Sequence, residues 1–155
     1  PGRTGQNLPP DLVAELARHP DIVGIKEASG DIGQISRIIE ATLDEDFVVI
    51  SGDDNITLPI LALGGAGVIS VAANVEPARM VAMFEAFCEG DLEEALDMHY
   101  ALSPLFRGMF IDTNPIPVKK AVELRGMAGG PPRLPLDELD AEKTKKLAEV
   151  LSTYD

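Results

Sequence analysis

The chain has 155 residues, with 13 Lys and Arg against 26 Asp and Glu, a formal net charge of −13. Hydrophobic residues make up 45% and charged residues 25%, the balance of a globular chain able to bury one good core rather than of a disordered one. The acidic surplus argues against nucleic acid or an anionic membrane as partner, since both would repel it, and no apolar run approaches the roughly 20 residues of a membrane span.

The opening PGRTGQNLPP is polar and loop-like, unlike a signal peptide. It starts without Met and inside a loop, so the chain reads as a fragment. PPDLVAELARH then predicts a helix with Pro in its first turn and Leu12, Val13, Leu16 and Ala17 on one face. DIVGIKEAS predicts a short buried strand. DIGQISRIIEAT predicts a helix capped by Asp31, with Ile32, Ile35, Ile38 and Ile39 as its apolar stripe. FVVISGDD is a second strand with a polar exit, ITLPILALGG a short helix ending on glycines, and GVISVAAN a third strand. EPARMVAMFEAFCEG is a helix with Pro77 near its start. The single cysteine, Cys88, allows no internal disulfide, and its apolar surroundings predict a buried, inert thiol; a reducing cytoplasm fits.

After Gly90 the strand–helix alternation stops. GDLEEALDMHYALSPLFRGMF predicts a helix capped by Asp91, and TNPIPVKKAVELRGM one entered through prolines with Asn114 as its cap. PLDELDAEKTKKLAEVLSTY is a charged amphipathic helix whose Lys and Glu residues form a solvated face. Apolar strands joined to amphipathic helices imply parallel strands covered by helices, in either an open doubly wound sheet or a (β/α)8 barrel. The expected division is an α/β part at 1–89 and an all-helical part at 90–155.

Each strand exit is polar or small: KEASGD, SGDDN, SVAAN. Ligands of parallel α/β folds sit at the carboxyl ends of strands, so these exits say where a site would be. Lys26 is the sharpest candidate, being the only lysine among the first 118 residues. It shares a strand face with Ile22 and Gly24, and Gly24 is expected to leave room beside the lysine stem. Desolvation on that face would populate a neutral amine, the nucleophile that condenses with a ketone. The plainer alternative is a lysine reaching solvent, or pairing with Glu27 or Asp31. Asp53 and Asp54 read as turn and cap residues as readily as acid–base groups, and no His or Cys accompanies them for a transition metal. His19 and His99 have no visible catalytic partner, and no GxGxxG or P-loop pattern supports nucleotide binding. Arg3, in a glycine-flanked loop, could hold a carboxylate bidentately or be a surface arginine.

Together PGRTG at 1–5, GIKEASGD at 24–31, SGDD at 51–54, LGGAGVISVAANV at 63–75, TNPIPVK at 113–119 and RLPL at 133–136 resemble, in order, the pyruvate-dependent class I aldolases typified by dihydrodipicolinate synthase. The resemblance implies strands six to eight of a (β/α)8 TIM barrel followed by a helical C-terminal domain. It assigns to Lys26 the Schiff base with pyruvate, whose enamine attacks aspartate semialdehyde on the way to diaminopimelate and lysine. Arg3 would bind the aldehyde's carboxylate. Ile69 would line the pyruvate site through its backbone, Gly52 would offer a carbonyl nearby, and Asn114 would approach the same mouth. No metal or other cofactor is implied, and a cytoplasmic homotetramer is expected.

The arginine loop and TNPIPVK favour a synthase over N-acetylneuraminate lyase or another sugar-acid aldolase, which stands as the alternative. The family's proton-shuttling tyrosine directly precedes the arginine loop and is not among these residues. The 155-residue chain by itself is therefore expected to be inactive. An alternative of another class is a non-catalytic half-barrel that assembles with a separate chain.

Overall fold

The computed structural model describes residues 2–155, which fall into two compact units, one running to Ser70 and the other Val71–Asp155. The first contains three short parallel strands in sequential order, β1 (Gly24–Glu27), β2 (Val48–Ser51) and β3 (Gly67–Val68). Helices α1 (Pro10–Ala17), α2 (Ile32–Ala41) and α3 (Thr57–Ala62) lie between or before them. Parallel strands need crossover connections, and the helices supply these.

The core of this unit is built from one face of the sheet. Val13 of α1, Ile35 and Ile38 of α2, Val49 of β2 and Ile60 of α3 are all buried together, with Ile25, Ile32 and Ile39 packed against them. The α2 stripe is therefore as its period predicts, and Asp31 caps the helix by accepting from the Gln34 N–H at 2.9 Å. Leu12 differs from expectation and is exposed. The eight-residue α1 buries only Val13 and Ala17, one turn apart, a stripe too narrow to include Leu12. The third strand is also shorter than GVISVAAN suggests: pairing ends at Val68, and Ala72–Asn74 forms a 3-10 turn.

The second unit is helical: α4 (Pro77–Glu89), α5 (Leu92–Gly108), α6 (Ile116–Leu124) and α7 (Ala141–Leu151). Helix α4 packs on α5, α5 on α7, and α7 on α6. Cys88 is exposed, which corrects the buried-thiol expectation. The buried side of α4 is carried by Met80, Met83 and Ala86, and Cys88 falls two residues beyond, about 200° around the helix from Ala86. Asn114 does not cap α6, because Pro115 holds that position and no side chain caps it.

Two contacts close this unit. The Arg125 guanidinium bonds Glu76, the Leu151 carbonyl and Asp155, tying the start of α4 to the end of α7. The Tyr154 hydroxyl donates to the Ala101 carbonyl at 2.8 Å and accepts from the Leu105 N–H at 3.2 Å. These two groups flank Pro104, whose missing N–H weakens the α5 ladder at that turn.

His99 of α5 sits with its ring centroid 5.4 Å from Tyr100 and 5.7 Å from Phe106, and its buried Nδ1 has no hydrogen-bond partner among the described residues. Burial lowers its pKa below the ordinary 6.5. The folded state thus favours the neutral ring. Its contribution to stability is complete above pH 6.5 and declines as pH falls through that value towards the lower folded one. The denaturation midpoint is expected to fall between about pH 7 and pH 5, and His99→Leu to flatten that part of the profile. An equal slope in the variant would refute this. Asp112 and Asp140 titrate in a separate window. A hydrogen bond from the Lys143 ammonium holds Asp112 below 3.8, and the Lys143 backbone N–H does the same for Asp140, so their contribution is lost only at lower pH.

Candidate active site

Strand register places Lys26 beside Ile50, and Ile50 beside Gly67. Paired residues of a sheet point to one face, here the face opposite the Ile25 and Val49 core. Within the unit that face is uncovered. Lys26 is exposed, and Val48 and Ile69 keep 42% and 51% of their surface. The desolvation expected for Lys26 is therefore not supplied by these residues.

What shapes the place of Lys26 is Gly52. A Cβ at position 52 would lie 2.8 Å from Lys26 Cε and 3.0 Å from its Cγ, so the lysine stem lies over a bare α-carbon. The Gly52 N–H donates to the Glu27 carbonyl at 2.7 Å, which locks the two strand exits together. Gly24 does not make this room, contrary to the sequence expectation. A Cβ at 24 would meet the Val48 carbonyl oxygen at 2.6 Å, so Gly24 serves the close approach of β1 and β2.

Glu27 and Asp31 are both occupied elsewhere, so neither is the lysine's counter-ion. Glu27 points to the helix side and is only 5% exposed. The turn after Lys26 closes in a circuit of hydrogen bonds. Glu27 Oε1 accepts from the Ser29 N–H at 2.5 Å, and Ser29 Oγ from the Asp31 N–H at 3.2 Å. Asp31 Oδ1 caps Gln34, and Gln34 Nε2 donates back to Glu27 Oε2 at 3.3 Å. Gly30 makes the turn possible with a φ of 80°. The side chain of Gln34, also 5% exposed, pairs with Asn7: Nδ2 of Asn7 donates to Oε1 at 2.5 Å, and Nε2 donates to Asn7 Oδ1 at 3.2 Å. Sequence reading missed Glu27, Gln34 and Asn7 as a group. The readable signal was Gln34 three residues after the Asp31 cap, a capping-box spacing.

Of the other candidates, Ile69 donates its N–H to the Ser51 carbonyl at 2.8 Å and so stands at the same strand ends as Gly52. Arg3 lies in the exposed turn before α1; Pro1 of PGRTG lies outside the described residues. Asp53 caps the 3-10 turn Asp54–Ile56 by accepting from the Asn55 N–H at 2.9 Å, the plainer of its two readings. Asp54 is buried. Asn114 belongs to the second unit, half-buried ahead of α6. No cluster of three or more His, Cys, Asp or Glu placed to hold a metal occurs among the described residues, and none of their helices is long and apolar enough to cross a membrane.

The unit is thus a parallel α/β arrangement with a lysine at a strand's carboxyl end, the place where proteins of this class keep their sites. The sequence model of the dihydrodipicolinate synthetase family matches residues 1–154, and the chain belongs to that family. It is 77% identical over 154 residues to the 4-hydroxy-tetrahydrodipicolinate synthase of Methanoculleus marisnigri, covering 99% of this chain and 53% of that protein. It is 73% identical over 155 residues to the synthase of the same name from Methanosphaerula palustris, covering 100% and 53%. The crystal structure of dihydrodipicolinate synthase from Aquifex aeolicus superposes with a TM-score of 0.95 at 45% identity, over 99% of this chain and 53% of that one. The chain thus spans about half the length of the curated relatives it matches.

Proposed function

We propose that the chain is the lysine-bearing part of a lyase that condenses pyruvate with aspartate semialdehyde to 4-hydroxy-tetrahydrodipicolinate. In this reading its first unit supplies strands six to eight of a (β/α)8 barrel. The observation that carries the proposal is Lys26, at the exit of β1 with its stem laid over Gly52.

The Lys26 amine attacks the ketone carbon of pyruvate, and loss of water gives an iminium. That cation is the electron sink that acidifies the methyl group, so the chemistry needs no resident metal or cofactor. Loss of a methyl proton gives the enamine. Its carbon attacks the aldehyde, whose oxygen takes up a proton to become the 4-hydroxyl as the iminium re-forms. The substrate's own amino group then attacks the iminium carbon, closing the ring and expelling the Lys26 amine. Throughout, the aldehyde's carboxylate is held by Arg3 as a bidentate pair. The Gly52 carbonyl and the Ile69 backbone line the pyruvate side. Homotetrameric assembly is carried over from the family resemblance.

The test is reductive trapping. A full-length protein carrying this segment is incubated with pyruvate and borohydride, and its peptides are mapped by mass. The adduct is expected on Lys26 alone; adducts on Lys119, Lys120 or the α7 lysines instead of Lys26 would refute the mechanism. The 155-residue chain assayed by itself is expected to give no turnover, because its lysine face is uncovered. Steady turnover by the isolated chain would overturn that expectation.

A further inference from the structure

We infer that Gln34 is a positioning residue that fixes the Arg3 loop to the exit of the Lys26 strand, and thereby sets the affinity for the carboxylate-bearing aldehyde. The inference rests on the roles proposed above for Lys26 and Arg3.

Residues 2–9 are all exposed, so apolar packing does little to orient that loop. Hydrogen bonds must do more of it, and the amide pair of Asn7 with Gln34 joins groups 27 residues apart. Gln34 is suited to the task because its other bonds are already determined. Its backbone N–H is held by Asp31, and its Nε2 also reaches the buried Glu27 carboxylate one residue after Lys26. A glutamine at this helical position commonly returns its side chain to the N–H of the capping residue. Here Ser29 Oγ takes the Asp31 N–H instead, which releases the Gln34 amide for Asn7 and Glu27. One side chain therefore connects the lysine strand to the arginine loop, and buried polar groups with full partners define a single geometry.

The two ends of the link can be cut separately in a full-length protein carrying this segment. Asn7→Ala removes an exposed partner and leaves Glu27 and its bonds in place. Gln34→Met removes the link from the buried side with nearly conserved volume. Each variant is expected to raise KM for the aldehyde about tenfold, the loss of a paired hydrogen bond, while kcat and KM for pyruvate stay within about twofold. The double variant should be no worse than Gln34→Met, which already breaks the link that Asn7→Ala cuts. Hydrogen exchange of residues 2–9 should accelerate in both variants, with β1 unchanged in Asn7→Ala, which leaves the Glu27 bonds in place.

Unchanged exchange in Asn7→Ala overturns the inference, as does a KM rise shared equally by both substrates. A failure of the functional reading looks different: pyruvate trapping is absent from Lys26 in the unmodified protein while the exchange effect persists. In that outcome the link holds and its stated effect on aldehyde affinity is overturned.

Discussion

Lys26→Ala, made in a full-length protein carrying this segment, is expected to abolish pyruvate trapping and to lower turnover by roughly 10⁴-fold or more, the scale seen when a covalent nucleophile is removed. The fold should be indifferent. The stem of Lys26 lies on Gly52, on the face opposite the Ile25 and Val49 core, so the variant removes nothing from that core. Lys26→Arg sharpens the test, because it keeps a positive charge on a long stem but cannot form an imine at a protonated guanidinium. If charge alone mattered, the arginine variant would retain activity; under the Schiff-base mechanism it is as inactive as the alanine variant. Thermal melting of both variants alongside the parent separates lost chemistry from lost structure. Borohydride-stable pyruvate adducts persisting in Lys26→Ala would move the nucleophile elsewhere.

Gly52→Ala is expected to have the second largest effect, and to act on chemistry more than on folding. The new methyl would stand 2.8 Å from Lys26 Cε and 3.0 Å from Ala28 Cβ. The lysine stem is flexible and will swing away, so the cost in stability is about 1 kcal/mol. The amine, however, moves by an ångström or so from its place, and displacement on that scale costs about 10²-fold in rate. The rate of imine trapping should fall accordingly, with melting little changed. Gly24→Ala provides the contrast. Its methyl would meet the Val48 carbonyl oxygen at 2.6 Å, and a neighbouring strand's backbone cannot swing aside. That variant should be damaged in folding first. Equal rates in Gly52→Ala and the parent would show that the lysine stem does not need the bare α-carbon.

Much of the α/β unit was legible without coordinates because its signals are local. The α2 stripe of Ile32, Ile35, Ile38 and Ile39 and the Asp31 cap depend on residues within one helix, and both appear where the spacing puts them. Asp91 likewise caps α5 by accepting from the Glu94 N–H. Local pattern was less informative where a partner decides the outcome. Periodicity puts Leu12 on the apolar side of α1, but the neighbouring core reaches only Val13 and Ala17. An apolar neighbourhood suggested a buried Cys88, yet burial follows the face of α4 rather than its composition.

The candidate site divides in the same way. The lysine, the parallel α/β organisation and the family are written in the order of short motifs, because a strand end and a turn are properties of contiguous residues. Which face of β1 is open and which glycine accommodates the lysine stem depend on the pairing of β1 with β2, residues a whole strand–helix unit apart. The joining of the strand exit to the arginine loop through Glu27, Gln34 and Asn7 depends on side chains up to 27 residues distant. A sequence records the period of a strand or helix but not what packs against each face. The tertiary structure alone decided that Gly52 rather than Gly24 makes room for Lys26, and that Glu27 is turned away from it.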